Sequence, residues 1–131
     1  MTAWPSIDLL AGFTEPQPYT LDVVAAAPAE PGVHVVLDGG VVIYVGSTGN
    51  LRQRLRQHLR GNRESSVLHE QVGALLDAQG GLASASEIAE WLGRRQVSWR
   101  VVGDPESLKF DLVTALKPRF NRLIPRPRTG D

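Results

Sequence analysis

Two polar residues one helical turn apart provide the first candidates for chemistry. Arg54 and His58 are separated by four residues, which places both side chains on the same side of a helix. They flank an apolar stripe formed by Leu51, Leu55 and Leu59, where a charged group needs a partner. The planar guanidinium of Arg54 can hold a phosphate with two parallel charge-assisted hydrogen bonds. The spacing therefore favours a phosphate-binding site, and the alternative is an ion pair between Arg54 and a carboxylate.

Basic residues are concentrated in the second part of the chain. The formal net charge of the 131 residues is zero, yet residues 1–50 contain five acidic residues and no Lys or Arg. Two later segments, 51–63 and 117–128, each carry five basic residues and no acid. Such segments favour contact with DNA phosphates, although an ordinary solvated helix face is the alternative. The predicted DNA-binding residues are Arg52, Arg56, Arg60, Arg63, Lys117, Arg119 and Arg122.

The composition excludes several kinds of site. The chain has no cysteine, which excludes disulfides, a thiol nucleophile and zinc bound by thiolates. The histidines His34, His58 and His69 lack a spacing that suggests zinc. The chain has no apolar run long enough to span a membrane and no basic leader segment, which predicts a soluble, cytoplasmic protein. The length fits a single domain.

The hydrophobic pattern predicts a hairpin, four helices and a further strand. Two β-branched runs, 33–37 and 41–46, are joined by Asp38-Gly39-Gly40, in which glycine supplies the positive φ of a tight turn. The later elements are predicted from apolar periodicity, caps and alternation. They are helices at about 51–60 and 66–77, a helix opened by the capping box of Ser84 and Glu87, a strand at 97–102, and a helix from Pro105 to about Leu116.

The two ends of the chain differ from this middle part. Residues 1–30 are acidic and rich in Pro and Ala, and we interpret them as an N-terminal arm. Its apolar residues pack either on the core or on a partner, which is a second copy of the chain or another protein. The sequence leaves that choice open. Residues 125–131 combine Pro, Gly and Arg and are expected to form a mobile tail.

Four short segments occur in a characteristic order along these elements. They are Gly32-Val33-His34, Tyr44-Val45-Gly46, Arg54 on the next helix, and Lys117-Pro118-Arg119-Phe120-Asn121 after the last helix. In this order they resemble the GIY-YIG nuclease superfamily over about residues 31–124. The resemblance implies one α/β domain with a three-stranded antiparallel sheet flanked by helices. It also implies cleavage of phosphodiester bonds in DNA with one divalent metal, Mg²⁺ or Mn²⁺.

The resemblance assigns roles to four polar residues. Tyr44 matches the tyrosine that lies next to the scissile phosphate, and Arg54 matches the arginine position of the family. A histidine four residues after that arginine, as at His58, occurs in some restriction-enzyme members. Asn121 is expected to fix the last segment against the site. The first four catalytic candidates are therefore Tyr44, Arg54, His58 and Asn121.

Two positions depart from the pattern of the family, and the first is His34. The family carries a tyrosine at this position, and that tyrosine helps to deprotonate the attacking water. Gly32 and Gly46, the glycines of the two strand motifs, are expected to have structural roles. Histidine can act as a general base with a pKa nearer neutrality. The alternative is a hydrogen-bonded, partly exposed histidine without a catalytic role.

The second departure is Lys109, which stands where the family carries its metal-binding glutamate. An ammonium group cannot be a ligand of Mg²⁺. Three explanations stay open: Glu106 or Asp111 supplies the carboxylate, the Lys109 ammonium takes the place of the cation, or the site is inactive. The sequence thus predicts a GIY-YIG-type DNA endonuclease or a weakened descendant of one. The alternative is an inactive module that binds DNA or a protein partner.

Overall fold

The computed structural model describes residues 10–60 and 66–121. Within those residues the chain forms four strands: β1 (Gln17–Pro18), β2 (Gly32–Asp38), β3 (Val41–Thr48) and β4 (Gln96–Val101). It also forms five helices: α1 (Leu21–Ala25), α2 (Leu51–Arg60), α3 (Val67–Gly80), α4 (Ala85–Gly93) and α5 (Pro105–Leu116). The predicted hairpin, helices and later strand are confirmed, with small shifts at their ends. No helix in the described ranges is long and apolar enough to cross a bilayer.

The strands form one antiparallel sheet in the order β1, β4, β2, β3. The expectation of a three-stranded sheet is wrong, because β1 adds a fourth strand at one edge. Its two residues, Gln17 and Pro18, pair with Val97 and Gln96. An element this short carries no alternation of apolar and polar residues, and proline is tolerated at a sheet edge. No hydrophobic pattern therefore indicates it.

The hairpin of β2 and β3 determines where the candidate site residues point. Its turn contains Gly39-Gly40 with φ angles of 62° and 88°, the left-handed region that favours glycine. The pairing places His34 opposite Gly46, and Val36 opposite Tyr44. Directly opposite residues share a face of the sheet, as do residues two apart on a strand. His34 and Tyr44 therefore lie on the same face, near the open end of the hairpin.

The two faces of the sheet are covered by different helices. On one face, helices α1 to α4 enclose a core to which Val36, Leu55 and Leu92 belong. On the other face, α5 buries Leu112 against Val35 and its neighbours. Tyr44 belongs to the core of the first face. The candidate site residues on the hairpin thus face α2 rather than α5.

Part of the N-terminal segment packs on this core. Leu10, Tyr19, Val24 and Ala27 are buried, and the Tyr19 hydroxyl donates to the Leu55 carbonyl at 2.8 Å. The carbonyls of residues 28 and 30 accept hydrogen bonds from the first two N–H groups of α2, which have no acceptor inside the helix. The sequence left open whether the N-terminal arm packs on the core or on a partner. In the structure, residues 10–30 pack on the core. Residues 1–9 lie outside the described residues.

The outer edge of β3 is closed by the segment that follows α5. The Phe120 N–H donates to the Ile43 carbonyl at 3.0 Å. The buried Asn121 amide accepts from the Val45 N–H at 2.7 Å and donates to the Val45 carbonyl at 2.9 Å. One side chain thus satisfies two backbone groups that an edge strand would otherwise leave unpaired. This pairing holds the strand that carries Tyr44.

We predict that Asn121→Ala destabilises the fold. The substitution leaves the N–H and the carbonyl of Val45 without these partners, which costs about 2 kcal/mol or more in a buried position. Urea denaturation followed by circular dichroism measures the loss. Asn50→Ala is the matched control, because the Asn50 side chain accepts an exposed hydrogen bond from the Gln53 N–H. That cap is worth about 1 kcal/mol, so equal losses in the two variants would contradict the prediction.

Candidate active site

Three aromatic rings meet on the α2 side of the sheet. They belong to His34 on β2, Tyr44 on β3 and His58 on α2, and we call them the ring cluster. The ring centroids are 5.1 Å apart for His34 and His58, 5.7 Å for Tyr44 and His58, and 6.0 Å for His34 and Tyr44. All three side chains are buried. The structure thus brings together three of the predicted catalytic residues from three separate elements.

Gly46 makes room for this arrangement. A Cβ atom at position 46 would lie 2.5 Å from Cε1 and 2.6 Å from Nε2 of His34. It would also lie 3.1 Å from Cε2 of Tyr44. The imidazole therefore rests directly on the backbone of the opposite strand, at a separation that any larger residue would prevent. The predicted structural role of Gly46 has this physical basis. At Gly32, a Cβ atom would similarly lie 2.4 Å from the Arg100 carbonyl oxygen.

The surroundings of His34 differ from both sequence-based expectations. Its side chain is fully buried, and neither ring nitrogen has a hydrogen-bond partner within the described chain. The expectation of a partly exposed, hydrogen-bonded histidine is therefore wrong. The pKa of His34 is lowered to about 3, first by burial and then by the charges of Arg54 and Lys109. The expected pKa near neutrality is therefore also wrong, because the imidazolium form would lose its hydration. At neutral pH His34 is an uncharged imidazole.

His58 is positioned by a residue that the sequence analysis did not select. Its Nδ1 lies 2.5 Å from the hydroxyl oxygen of Ser66, which also accepts a hydrogen bond from the His69 N–H at 3.1 Å as the N-cap of α3. Donation of the Ser66 proton to Nδ1 would leave the imidazole proton on Nε2, which is buried and has no partner in the described residues. Burial lowers the pKa of His58 well below its usual value, and His34 and Arg54 add to the effect. The sequence indicated that a helix starts near Ser66, but it did not indicate the contact between Ser66 and His58 on α2.

Arg54 is close enough to the ring cluster for its charge to act on all three rings. Its side chain is half-buried, and its Nη1 donates to Gln57 Oε1 at 2.7 Å. Burial raises the pKa of Tyr44, and the positive charge of Arg54 opposes that rise. Burial likewise raises the pKa of Tyr19 well above its usual value, and the nearby Tyr44 raises this pKa further. Both tyrosines thus keep their hydroxyl protons at neutral pH, and Tyr19 is a second neighbour that the sequence did not indicate.

Helix α5 carries Glu106 and Lys109 to the end of β3. Glu106 is exposed, and its Oε2 accepts a hydrogen bond from the Ser47 hydroxyl at 2.7 Å. Ser47 directly follows Gly46, the residue that supports the His34 ring. Lys109 lies one turn further along α5, is half-buried, and contributes to the lowered pKa of His34. The position predicted for the metal-binding carboxylate thus places a positive charge near the ring cluster.

The predicted DNA-binding arginines of α2 do not share a surface with Arg54. At about 100° per residue, Arg52, Arg56 and Arg60 fall on the flank of the helix away from Arg54. They line a groove of about 350 Å³ against α1, where Leu21 forms part of the wall. The helical pattern alone did not indicate that α1 lies beside this flank of α2.

The remaining predicted DNA-binding residues are distributed differently. Lys117 and Arg119 are exposed in the segment after α5. Arg63 and Arg122 lie outside the described residues, as does the predicted tail at 125–131. Their contact with DNA stays a prediction.

The family model described as the GIY-YIG catalytic domain matches residues 33–122. The chain belongs to this family. The fold agrees with that of the GIY-YIG N-terminal endonuclease domain of UvrC from Thermotoga maritima, solved with magnesium as its catalytic divalent cation. The TM-score is 0.54 at 23% identity, over 76% of this chain and 92% of that domain. At this identity the likeness concerns the fold.

Curated relatives of this GIY-YIG chain include two UvrABC system C proteins. The protein of Aquifex aeolicus is 30% identical over 102 residues, and that of Hydrogenobaculum sp. is 28% identical over 107 residues. The matched regions cover 78% and 79% of this chain but 15% and 16% of the relatives. The chain therefore spans a small part of the length of these proteins.

The side chains near the ring cluster do not suit a divalent cation. Magnesium prefers oxygen ligands, which in proteins usually include one or two carboxylates. In the described part of the chain, no group of three or more His, Cys, Asp or Glu side chains could hold a metal ion. Glu106 is exposed and bonded to Ser47, whereas Lys109 and Arg54 both exert positive charge on His34. The Lys109 ammonium, which stands where the family carries its metal-binding carboxylate, opposes the binding of a dication at that place, so the site does not fit the metal implied by the family.

We predict that Gly46→Ala displaces the ring cluster. The new methyl group would overlap the His34 ring, and overpacking of this kind costs about 1–3 kcal/mol. Urea denaturation measures the loss, and shifted imidazole signals in NMR spectra report the displacement. Gly49→Ala is the control, since a Cβ at that position meets no described atom within 4 Å. Unchanged imidazole signals in Gly46→Ala would contradict the described geometry.

We also predict that stability falls in mild acid because of His34. Its pKa is about 3 in the folded chain, against the usual value of 6.5. Between these pH values the unfolded chain holds a proton that the folded chain lacks, so stability is complete above about pH 6.5 and is lost as the pH falls. The contribution of His34 is about 1.4 kcal/mol per pH unit.

Urea denaturation between about pH 6 and pH 5 tests this prediction in the wild type and in His34→Leu. The variant lacks the titrating group, so its free energy of unfolding should depend less steeply on pH. His58 contributes in the same direction to both proteins and therefore cancels in the comparison. Equal slopes would mean that the folded chain does not hold His34 in its neutral form.

Proposed function

We propose that this chain binds DNA and hydrolyses its phosphodiester bonds, as a GIY-YIG-type endonuclease or a weakened descendant of one. The observation that carries the proposal is the ring cluster, in which three buried polar rings converge from three elements. The charge of Arg54 acts on all three of these rings. The name of the Thermotoga maritima neighbour, an endonuclease domain, supports the same reaction class. Family membership over residues 33–122 supports it as well.

Arg54 is the proposed ligand of the phosphate group. Hydrolysis joins a water oxygen to phosphorus while the bond from phosphorus to the leaving oxygen breaks, and negative charge builds up on the non-bridging oxygens. A guanidinium held at the border of a dry site stabilises that charge. The hydrogen bond from Arg54 to Gln57 helps to fix its orientation.

The ring cluster is the proposed position of the attacking water. The neutral His34 imidazole can accept a hydrogen bond from that water, and the Tyr44 hydroxyl can orient it. A base with a pKa of about 3 is weak at neutral pH. A bound phosphate adds a negative charge nearby, which favours the protonated imidazole and raises its pKa. Substrate binding would thus make His34 a better proton acceptor than it is in the free protein.

Asn121 contributes to the proposed mechanism through the backbone. Its two hydrogen bonds to Val45 hold the strand between Tyr44 and Gly46. The proposed role is therefore positioning of the ring cluster, without contact with the phosphate.

A second candidate function is an inactive module that binds DNA or a protein partner. The observation in its favour is Lys109, which replaces the carboxylate expected from the family. Substrate binding through Arg54 and the exposed basic residues does not require that carboxylate. The two candidates therefore predict similar affinity for DNA but different rates of cleavage.

We predict that Arg54→Ala reduces cleavage of supercoiled plasmid DNA by about a hundredfold, because one contact with transition-state charge is worth about 3 kcal/mol in a preorganised site. Nicking is followed on gels with Mg²⁺ and with EDTA, and binding to a short duplex is followed by fluorescence anisotropy. Arg94→Ala is the matched control, since Arg94 is exposed and paired with Glu90 on the same helix surface.

The outcomes separate the two functions. Nicking by Arg54→Ala at the wild-type rate would mean that the active site lies elsewhere. DNA binding by the wild type without nicking in either buffer would favour the inactive module. Absence of both binding and nicking would rule out the proposed function.

A further inference from the structure

Lys109 lies on α5 between two turns that contact the sheet. Its side chain is half-buried, and within the described residues no carboxylate forms an ion pair with it. The next turn of α5 carries Leu112, which is buried against the sheet, and the preceding turn carries Glu106, which is bonded to Ser47. Both neighbouring turns thus hold the helix against the sheet. Because no carboxylate of the described residues pairs with this ammonium, it is available to an anion that arrives from solution.

Lys109 is one of two cations that are close enough to His34 to act on its charge state. Arg54 on α2 and Lys109 on α5 both act on His34 as positive charges. The carboxylate closest in sequence to Lys109 on the same face of α5 is Glu106, which is exposed and bonded to Ser47. Charge of this sign and arrangement attracts an anion and repels a metal cation.

The ring cluster supplies neutral hydrogen-bonding groups near the two cations. Both nitrogens of His34 and Nε2 of His58 are buried, and the described residues offer them no hydrogen-bond partner. Buried polar atoms of this kind are normally satisfied by protein, water or ligand. The N–H of a neutral imidazole can donate to a phosphate oxygen, whereas Mg²⁺ and Mn²⁺ prefer oxygen ligands to an imidazole nitrogen.

We propose that this site takes a phosphate group without a divalent cation, with the Lys109 ammonium in the place that the family gives to its metal-binding carboxylate. The ligand class is a phosphate monoanion or dianion, or the phosphodiester of a DNA strand. The inference rests on the proposed function for the identity of the substrate. It adds that the Lys109 ammonium supplies positive charge in addition to that of Arg54, in place of the metal expected from the family.

Metal binding is the first test, measured by the electron paramagnetic resonance of Mn²⁺ with the full chain. The wild type should leave Mn²⁺ free in solution. Lys109→Glu should acquire a site, because it restores a carboxylate and removes a repelling charge. Thr114→Glu is the control, since it adds a carboxylate to an exposed position of the same helix and should acquire none. Stoichiometric binding of Mn²⁺ by the wild type, abolished by Glu106→Gln, would overturn the proposal and identify Glu106 as a ligand.

Phosphate binding in EDTA is the second test, followed through the imidazole NMR signals of His34 and His58 during titration with inorganic phosphate. The wild type should bind and shift both sets of signals. Lys109→Met should weaken binding by about tenfold or more, the effect of one charge-assisted hydrogen bond. Lys109→Arg should retain binding because it keeps the charge, and Thr114→Met should bind as the wild type does.

The same titration and a short DNA duplex, each in EDTA and in Mg²⁺, separate the possible failures. Equal binding in both buffers, lost in Lys109→Met, supports the inference. Binding that requires Mg²⁺, or that is unchanged in Lys109→Met, overturns the inference and leaves the proposed function intact. Absence of binding to phosphate and to the duplex in both buffers overturns the inference and the proposed function together.

Discussion

The close approach of the His34 ring to the backbone of Gly46 is the constraint on which the rest of the site depends. The two residues are directly opposite each other in the hairpin, and a Cβ at position 46 would lie 2.5 Å from the ring. Because position 46 lacks a side chain, the imidazole can rest on the neighbouring strand and reach the ring of His58 on α2. The same contact, together with the rings of Tyr44 and His58, removes His34 from water. The neutral charge state of His34 follows from this burial.

Burial then determines the electrostatic character of the site. Two imidazoles and a tyrosine hydroxyl are uncharged at neutral pH, because burial disfavours the charged form of each group. Among the described residues, the charges that act on His34 are those of Arg54 and Lys109. A site of this composition resembles an anion-binding site more than a metal site, since positive charge and neutral donors both suit phosphate oxygens. An anion bound at this site would be coupled to imidazole protonation, because its charge favours the protonated ring.

Residues outside the ring cluster preserve its geometry. Asn121 replaces a missing neighbouring strand at Val45, and Ser66 holds one nitrogen of His58 while it caps α3. Tyr19 bonds the backbone of α2, so the N-terminal segment also positions the helix that carries His58. Each of these contacts joins elements that are distant in the chain. The arrangement of the site therefore depends on the completed fold.

The sequence by itself determined the order and type of the elements, because period, caps and turn residues act locally. The hairpin at Gly39-Gly40, the capping box at Ser84 and the i, i+4 pair of Arg54 and His58 were all predictable in this way. So was the replacement of a carboxylate by Lys109, once the segment order indicated the family. The tertiary structure decided the burial and pKa of His34, the bond between Ser66 and His58, and the added strand β1. These properties depend on which distant groups exclude water from a side chain or pair with a strand edge, and periodicity along the chain carries no information about such contacts.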